Sequence, residues 1–432
     1  MATTGTTTST SDFGGLNDAM KYVYTESFDN NIEKEQEVLD VIKAAKGFRV
    51  VEGPDGKGIV INHVFNSGGG FSSGLEDDYL PTPTLPSMKQ SNITVKIHRA
   101  VAELSGVALR RVKEGPAAFA TWANEELPRR AQRVAWHMDR QALGFGAGYF
   151  ARVNEGTPDT TLVIDSAFGQ ASLEGSSRLV TEGDSLRASP NANGTSPRSG
   201  AAIITAIDHD TLTLTIDALP TSTADNDYLF VGDANVYGLG AREMMGLEGI
   251  VDNGNILGTF QGLSRTTYPR LKAQQIDAST ATDGPTLNED LLDRAATLAW
   301  ERAMGKPNLV LANRASQRTF WKTLKGDRVL NDPKGKFVGG KGSVFILLGG
   351  IETEIRGARK VPDSRCYLID GSTIKKYEIG KGRWDDTDGS IWNRVVNSTG
   401  RKDAFYAVFV KEMEMGCSDP ARNVKITGLT TS

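Results

Sequence analysis

Cysteine is nearly absent from this sequence of 432 residues, in which Cys366 and Cys417 are the only two. A disulfide framework is therefore not the organising principle. Two free, buried thiols in a reducing compartment are expected, although a single bridge between them stays open. No run of residues approaches the ~18 apolar residues that a membrane helix needs, so no membrane partner is expected. A large positive charge is also missing, since the formal net charge is −4. Proteins that coat nucleic acid usually carry a basic domain or stripe.

Clusters of catalytic or metal-binding residues are missing as well. None of the four histidines stands at zinc-ligand spacing from another His or Cys; they are His63, His98, His137 and His209. We therefore predict no metal site and no cofactor.

Two short motifs match catalytic patterns only in part. Gly70 to Gly74 reads G-x-S-x-G around Ser72, but it lies in a polar loop without the buried strand that a nucleophile elbow requires. Gly335 to Lys341 has the spacing of a phosphate-binding loop, yet Gly342 stands where Ser or Thr is needed. The sequence predicts that the protein is not an enzyme. A serine hydrolase with a lid loop that uses Ser72 remains the enzymatic alternative.

Changes in composition divide the chain into six segments: an N-terminal arm (1–52), an extended loop (53–114), a long helix (115–150), a β-rich insert (151–236), a mixed α/β region (237–372) and closing strands (373–432). Within the arm, apolar residues near helical spacing predict a helix over 30–45. Within the loop, residues 66–87 are rich in Gly and Pro and cannot bury enough apolar surface to fold alone. Ile93, Val95 and Ile97 then alternate as in a strand. We expect a two-stranded ribbon with a flexible tip.

Periodicity identifies the later elements. Ala131, Ala135 and Met138 mark the apolar face of the long helix, where Pro128 is expected to cause a kink or a later start. Residues 203–216 alternate around a polar turn and predict a hairpin. The β-rich insert alone leaves a carbohydrate- or surface-binding module as a second alternative. Thr286 and Glu289 fit a capping box at the start of a helix.

The order of these segments resembles the major capsid proteins of tailed double-stranded-DNA bacteriophages, whose fold is shared with herpesviruses. Four stretches carry the resemblance: HMDRQALGFGAG at the end of the long helix, MMGLEGIVDNGNILGTFQGLSRTTYPRLKAQ, VPDSRCYLIDGSTIKKYEIG and NVKITGL. The resemblance implies an α+β tailed-phage major capsid fold. Its parts would be an N-terminal arm, an extended loop, a long spine helix, peripheral and axial domains, and a β-rich insert. The axial domain would span 237–372, and the spine helix and closing strands would form the peripheral domain.

The resemblance also implies a function. The chain would be a structural protein of the virion capsid, assembled in the host cytoplasm. It would form pentameric and hexameric rings of an icosahedral shell and enclose DNA without sequence-specific binding. Implied partners besides its own copies are portal and scaffolding or protease proteins, and a decoration protein.

Several residues are candidates for contacts between subunits: Tyr79, Lys89, Arg99, Arg110, Arg111, Trp122, Arg140, Arg265 and Trp384. Some members of the family cross-link a loop lysine to an asparagine of a neighbour. Lys89 with Asn393 or Asn397 would be the pair here, although no sequence feature demands the bond.

Overall fold

A computed structural model describes residues 25–34, 36–53, 56–66, 68–76, 78–106, 116–170, 173–232, 242–323, 343–386, 389–397 and 400–430. The α-helices within these ranges are α1 Thr25–Lys34, α2 Pro116–Leu143, α3 Leu247–Ile250, α4 Glu289–Ala303 and α5 Arg314–Thr323. Short 3₁₀ turns occur at Ala167–Gly169, Ser176–Leu179, Pro269–Leu271 and Pro420–Arg422.

Strands make up most of the regular structure. They are β1 Arg49–Gly53, β2 Gly56–Asn66, β3 Ser87–Thr94, β4 Lys96–Ser105, β5 Tyr149–Val153, β6 Thr161–Asp165, β7 Ser185–Ser189, β8 Ala202–Asp208, β9 Thr213–Ile216, β10 Tyr228–Val231, β11 Thr259–Phe260, β12 Leu263–Ser264, β13 Gln274–Asp277, β14 Leu309–Ala312, β15 Ser343–Leu348, β16 Ile351–Gly357, β17 Cys366–Ile369, β18 Ile374–Glu378, β19 Arg383–Trp384, β20 Asn393–Asn397, β21 Gly400–Cys417 and β22 Val424–Thr427. The predicted α+β class is confirmed.

The chain divides into two compact units. Of the described residues, the first unit takes those within 25–40, 96–139 and 378–413. The second takes those within 41–95, 140–377 and 414–430. Each unit thus combines segments that are distant in sequence.

The first unit is built on the long strand β21, which pairs antiparallel with β4 along the whole length of β4. The short strands β19 and β20 also pair with β21. Helix α1 buries Phe28 and Ile32. The ring of Phe28 packs against those of Trp384 and Phe409, at centroid distances of 5.3 and 4.6 Å.

Helix α1 ends earlier than predicted, because the apolar residues after Lys34 are buried without a helix. Val38 and Leu39 are fully buried in an irregular segment. The buried carboxylate of Asp139 accepts hydrogen bonds from the backbone N–H groups of Val38 and Leu39 at 3.2 and 3.1 Å. The predicted helix over 30–45 is therefore confirmed up to Lys34 and wrong beyond it, because a side chain distant in sequence satisfies backbone groups that a longer helix would have satisfied.

Helix α2 begins at Pro116 and continues through Pro128, so the later start does not occur. It ends at Leu143, directly before Gly144, as the sequence predicts.

Strands β5 to β10 of the second unit form a closed barrel in the order β10-β5-β6-β9-β8-β7. It occupies the region where the sequence predicts a β-rich insert. Strands β8 and β9 pair antiparallel, with Asp208 opposite Thr213, which confirms the predicted hairpin. Leu162, Ile164, Leu214 and Phe230 are among the side chains that fill its core.

A six-stranded mixed sheet forms a second part of this unit, in the order β13-β22-β17-β14-β16-β15. Its core cluster includes apolar residues of α4 and Phe320 of α5. Helix α4 is capped by Asn288, whose side chain accepts a 2.8 Å hydrogen bond from the backbone N–H of Leu291. The predicted capping box is thus wrong, because the N-cap residue is Asn288, two positions after Thr286. Strand β22 is fully buried between β13 and β17, so the end of the chain joins the sheet of the predicted axial domain.

The predicted extended loop is divided between the two compact units. Strands β1, β2 and β3 form a three-stranded sheet in the second unit. Strand β3 ends at Thr94, and β4 belongs to the first unit. Ile93, Val95 and Ile97 therefore do not share one strand, and Val95 is the residue between two strands.

Candidate assembly surface

Strands β2 and β3 form the predicted ribbon, and its base is fastened inside the second unit. His63 is buried, and its ring lies 2.9 Å from the hydroxyl of Ser91 and 2.9 Å from the carbonyl oxygen of Ser418. Burial lowers the pKa of His63 below 6.5, against smaller opposing effects of its hydrogen bonds and of Asp419. Phe65 stacks on Tyr268 with ring centroids 4.5 Å apart. Polar and aromatic contacts thus fix the base of the ribbon.

Beyond Asn66 the ribbon continues as a tip, described over residues 68–76 and 78–86 and closed near its base by a bridge between Gly69 and Thr84. The N–H of Gly69 donates to the hydroxyl of Thr84 at 2.6 Å. Gly68 has φ of +84°, and a Cβ there would lie 2.5 Å from the carbonyl oxygen of Thr84. Only glycine fits this close approach.

The tip exposes large apolar side chains rather than a purely polar surface. They are Phe71, Leu75, Tyr79, Leu80 and Leu85, each 87–100% exposed. Five large apolar side chains exposed within one short segment make this tip a candidate interaction site, since interaction sites often expose apolar surface. Tyr79, predicted to contact a neighbour, is fully exposed in this tip. Composition alone misses the group, because its members are scattered among Gly, Pro and acidic residues.

Two other candidates also face solvent. Lys89 lies on β3 opposite His63 and is exposed. Arg99 lies on β4 opposite Val410, and it is exposed together with Ile97 and Val101 on the same strand face. Arg110 and Arg111 lie outside the described residues. Trp122 is part of α2, but its side chain is also outside them.

Arg140, in contrast, is buried, and its guanidinium pairs with the carboxylate of Glu243. The backbone after Arg140 packs closely on the glycines of the GLEG stretch. A Cβ on Gly246 would lie 2.4 Å from the carbonyl oxygen of Gln141, and the N–H of Gly249 donates to the carbonyl of Gly144 at 3.3 Å. Two of the stretches that carry the sequence resemblance, HMDRQALGFGAG and the one that begins MMGLEG, therefore pack against each other inside the subunit and stabilise it.

Arg265 is also buried, at the centre of a hydrogen-bond network. All five of its N–H groups have acceptors: the carboxylate of Asp252 at 2.8 Å and four main-chain carbonyls, those of Gly249, Ile250, Leu257 and Leu271, at 2.8–3.2 Å. Its guanidinium also lies over the ring of Phe260. Burial lowers the pKa of Arg265, while the charge of Asp252 acts in the opposite direction.

Trp384 is 4% exposed within the aromatic cluster of the first unit. The structure thus corrects three candidates, since Arg140, Arg265 and Trp384 have no surface with which to contact a neighbour. All three are large side chains that either pair with an acid or pack among aromatic rings within the subunit. A single sequence does not distinguish this role from a contact between subunits.

The alternatives gain no support from the described residues. Ser72 lies in the exposed tip, and none of the His, Asp or Glu residues that the structure describes hydrogen-bonds to it. Over the same residues, no group of three or more His, Cys, Asp or Glu side chains is placed to hold a metal ion. The described helices are too short or too polar to cross a bilayer.

Solved structures similar in fold to this chain include the capsid of cyanophage A-1(L), with a TM-score of 0.46 and 10% identity over 91% of this chain and 92% of that one. The capsid of an empty GTA particle has a TM-score of 0.43 and 12% identity over 91% and 90% of the two chains. A virus-like particle from Pyrococcus furiosus has a TM-score of 0.38 and 7% identity over 94% and 98%. Comparison with protein-family models finds no match, and neither does comparison with curated protein sequences.

Proposed function

We propose that this chain is a major capsid subunit that assembles through rings of five and six copies into a closed icosahedral shell around double-stranded DNA. The observation that carries the proposal is the ribbon of β2 and β3. Its base is fixed within the subunit, while its tip presents five large apolar side chains to water. A second copy of the chain supplies the surface that covers them. The role is structural rather than enzymatic.

The energies favour a contact that forms reversibly. Burying five large apolar side chains contributes on the order of 10 kcal/mol, at ~1.5–3 kcal/mol each. Fixing only the backbone of those five residues costs ~1–2 kcal/mol for each, which offsets much of that gain. Each tip contact is then weak by itself. A shell held by many such contacts can release a misplaced subunit before it closes.

Within this proposal, Tyr79, Lys89 and Arg99 contact neighbouring subunits, and Arg110, Arg111 and Trp122 remain candidates for the same role. Portal, scaffolding or protease proteins and a decoration protein would act with the shell, which would assemble in the host cytoplasm. A cross-link from Lys89 to Asn393 or Asn397 is left out of the proposal. No sequence feature demands this bond, which would need a well-placed acid in a dry site.

Electron microscopy of the expressed full chain tests the proposal. The wild-type protein is expected to form closed shells, or rings of five and six. A variant in which an Asn-Gly turn replaces Gly68 to Pro86 is expected to fold but not to close shells, since two-residue turns of this type join antiparallel strands. Circular dichroism and thermal unfolding check its folding.

Point variants make the test sharper. Phe71→Ser combined with Tyr79→Ser should reduce shell yield while leaving the melting temperature unchanged. The matched control is Ile203→Ser, which removes a half-exposed apolar side chain from the barrel. A wild-type chain that stays monomeric, with or without a co-expressed scaffolding protein, contradicts the proposal. Normal shells from the tip deletion contradict the role of the ribbon.

A further inference from the structure

The base of the ribbon is fastened to the rest of the second unit through a buried histidine. His63 lies on β2 and is 1% exposed. Its ring nitrogen Nδ1 is 2.9 Å from the carbonyl oxygen of Ser418, and Nε2 is 2.9 Å from the hydroxyl of Ser91. Because a carbonyl oxygen can only accept, Nδ1 carries the proton of the neutral ring. Nε2 of the neutral ring is therefore an acceptor.

The side-chain amide of Gln261 reaches the same ring from the turn between β11 and β12. Its oxygen accepts from the N–H of Cys417 at 2.9 Å, and its nitrogen donates to the carbonyl of Cys417 at 3.2 Å and to Nε2 of His63 at 3.3 Å. In the reverse orientation, the amide oxygen would face the Cys417 carbonyl and the nitrogen would face the Cys417 N–H. The main chain of Cys417 thus fixes an N–H donor towards Nε2 of His63.

A proton added to Nε2 of His63 would meet this donor. Ser91 can rotate its hydroxyl and accept from the imidazolium. Gln261 cannot turn in the same way without losing both of its hydrogen bonds to Cys417. Two N–H groups would then point at each other in a buried site, where a charge without a partner is costly. Burial also holds the pKa of His63 below 6.5, so both effects favour the neutral ring.

The other charged and titratable groups around the ring do not offset this cost. They are Lys89, Tyr268, Arg270, Cys417, Asp419 and Arg422. Lys89 stands opposite His63 on β3 and is itself a cation. The carboxylate of Asp419 already pairs with Arg270 at 2.8 Å. Burial raises the pKa of the Cys417 thiol to about 12, so it stays neutral. Histidine alone has an ordinary pKa roughly between pH 5 and 8.

The root of the ribbon is held by apolar contacts that a proton does not disturb. Ile59 and Ile61 are buried. A Cβ on Gly416 would lie 2.6 Å from Ile61 and 3.1 Å from Ile93, so both strands pack directly on this glycine. His63 is two residues further along β2, towards the tip. Loss of its hydrogen bonds would therefore free the outer ribbon and leave the root in place.

We propose that His63 is a proton-sensitive latch at the base of the ribbon. The hydrogen bonds of the neutral ring hold the ribbon in the direction that the structure shows. Protonation opens the ribbon from His63 outwards, which also separates the half-buried rings of Phe65 and Tyr268. The consequence for assembly rests on the proposed function: acidification changes the direction in which the tip is presented to a neighbour.

Two spin labels in the unassembled full chain report this opening. One is attached through Met88→Cys, on β3 beyond His63 and 59% exposed, and the other through Thr297→Cys, exposed on α4. The native Cys366 and Cys417 are fully buried, and burial raises the pKa of both thiols, so they are not labelled at neutral pH. Pulsed electron paramagnetic resonance then measures the distance between the labels at about pH 7.5 and about pH 5.

The labelled chain should give a narrow distance distribution at the higher pH and a broad one in acid. In the open ribbon the ring of His63 lies in water with an ordinary pKa of about 6.5, above that of the latched ring. The latch is therefore fully closed above about pH 6.5 and is lost as the pH falls below it. The ratio of open to closed ribbon should rise by up to roughly 30-fold between pH 7.5 and pH 5.

Two histidine variants of the labelled chain complete the test. His63→Gln takes up no proton, so it should remove the difference between the two pH values. His209→Gln is the matched control, because His209 is exposed at the barrel hairpin and its loss should leave the difference intact.

Two results overturn the latch and leave the proposed function standing. One is an unchanged distribution in the labelled chain with its native histidines, which decides even if a variant is unstable. The other is a difference between the two pH values that persists in His63→Gln. A chain that never forms shells overturns the proposed function instead, and the latch is still measured, since the labels report on unassembled subunits.

Discussion

Replacing Arg265 with methionine should destabilise the subunit strongly, although sequence reasoning places this residue at an assembly contact. The substitution keeps a long side chain but removes the guanidinium. Asp252 then loses the nearer of its two buried cationic partners, since Lys425 stays 3.9 Å from its carboxylate. Four carbonyls also lose their donors. The change acts inside the second unit and touches no exposed surface.

The magnitude follows from what stays behind. Removing one partner of a buried ion pair costs ~3–5 kcal/mol, because the other charge is left uncompensated. Asp252 still accepts hydrogen bonds from the N–H groups of Gly254, Ile256 and Leu257, which limits its loss. The orphaned carbonyls add to the cost. We expect a net loss of about 4 kcal/mol, a large part of the ~5–15 kcal/mol that usually separates folded from unfolded chains.

Hydrogen exchange measures this loss locally, which suits a chain of two units that need not unfold in one step. A loss of about 4 kcal/mol corresponds to roughly 10³-fold faster exchange of the amides of Gly254, Ile256 and Leu257, at ~1.4 kcal/mol for each factor of ten. The matched control is Arg270→Met, which breaks an Arg–Asp pair at the surface, with Asp419 at 2.8 Å. Surface pairs contribute ~0–1 kcal/mol, so exchange should change less than about tenfold. Equal effects of the two variants would refute the reasoning.

Three further predictions concern other sites. Burial lowers the pKa of His98 to about 4, so stability should fall by up to about 3 kcal/mol between pH 6.5 and 4, and His98→Gln should flatten this slope in urea titrations. Gly246→Ala should lower the melting temperature by several degrees because the methyl group meets backbone, whereas Gly258→Ala, which meets nothing within 4 Å, should not. Boiled particles should release intact monomers on a denaturing gel, because nothing in the sequence demands a cross-link from Lys89; a covalent ladder in the wild type would contradict this.

Periodicity in the sequence predicts helices and strands correctly where the local pattern of apolar residues determines the structure. The apolar face of α2 and the alternation in β8 and β9 are local patterns, and the structure confirms both. The end of α1 is different. Val38 and Leu39 fit helical spacing, but the carboxylate of Asp139 binds their backbone about a hundred residues away in sequence. Tertiary hydrogen bonding decides this segment, and no local window contains it.

The candidate contact residues divide into exposed and buried ones, and contacts between residues distant in sequence decide which is which. Arg99 and Arg265 look alike in sequence, since each is a basic residue near apolar ones. The difference is burial: Arg99 lies on the exposed face of a strand, whereas Arg265 has the carbonyls of a folded loop around it. Main-chain acceptors carry no sequence signal, so a binding site made of carbonyls becomes visible only in three dimensions.

The tip of the ribbon combines attraction to a neighbour with protection from premature association. Five apolar side chains would make free subunits aggregate if they lay along one regular strand edge. Here Pro81, Pro83 and Pro86 remove main-chain donors, which hinders strand pairing between two tips. Glu76 and Asp78 place like charges among the apolar residues, so two tips also repel each other. A tip of this composition binds poorly to its own kind and needs a different, preformed surface.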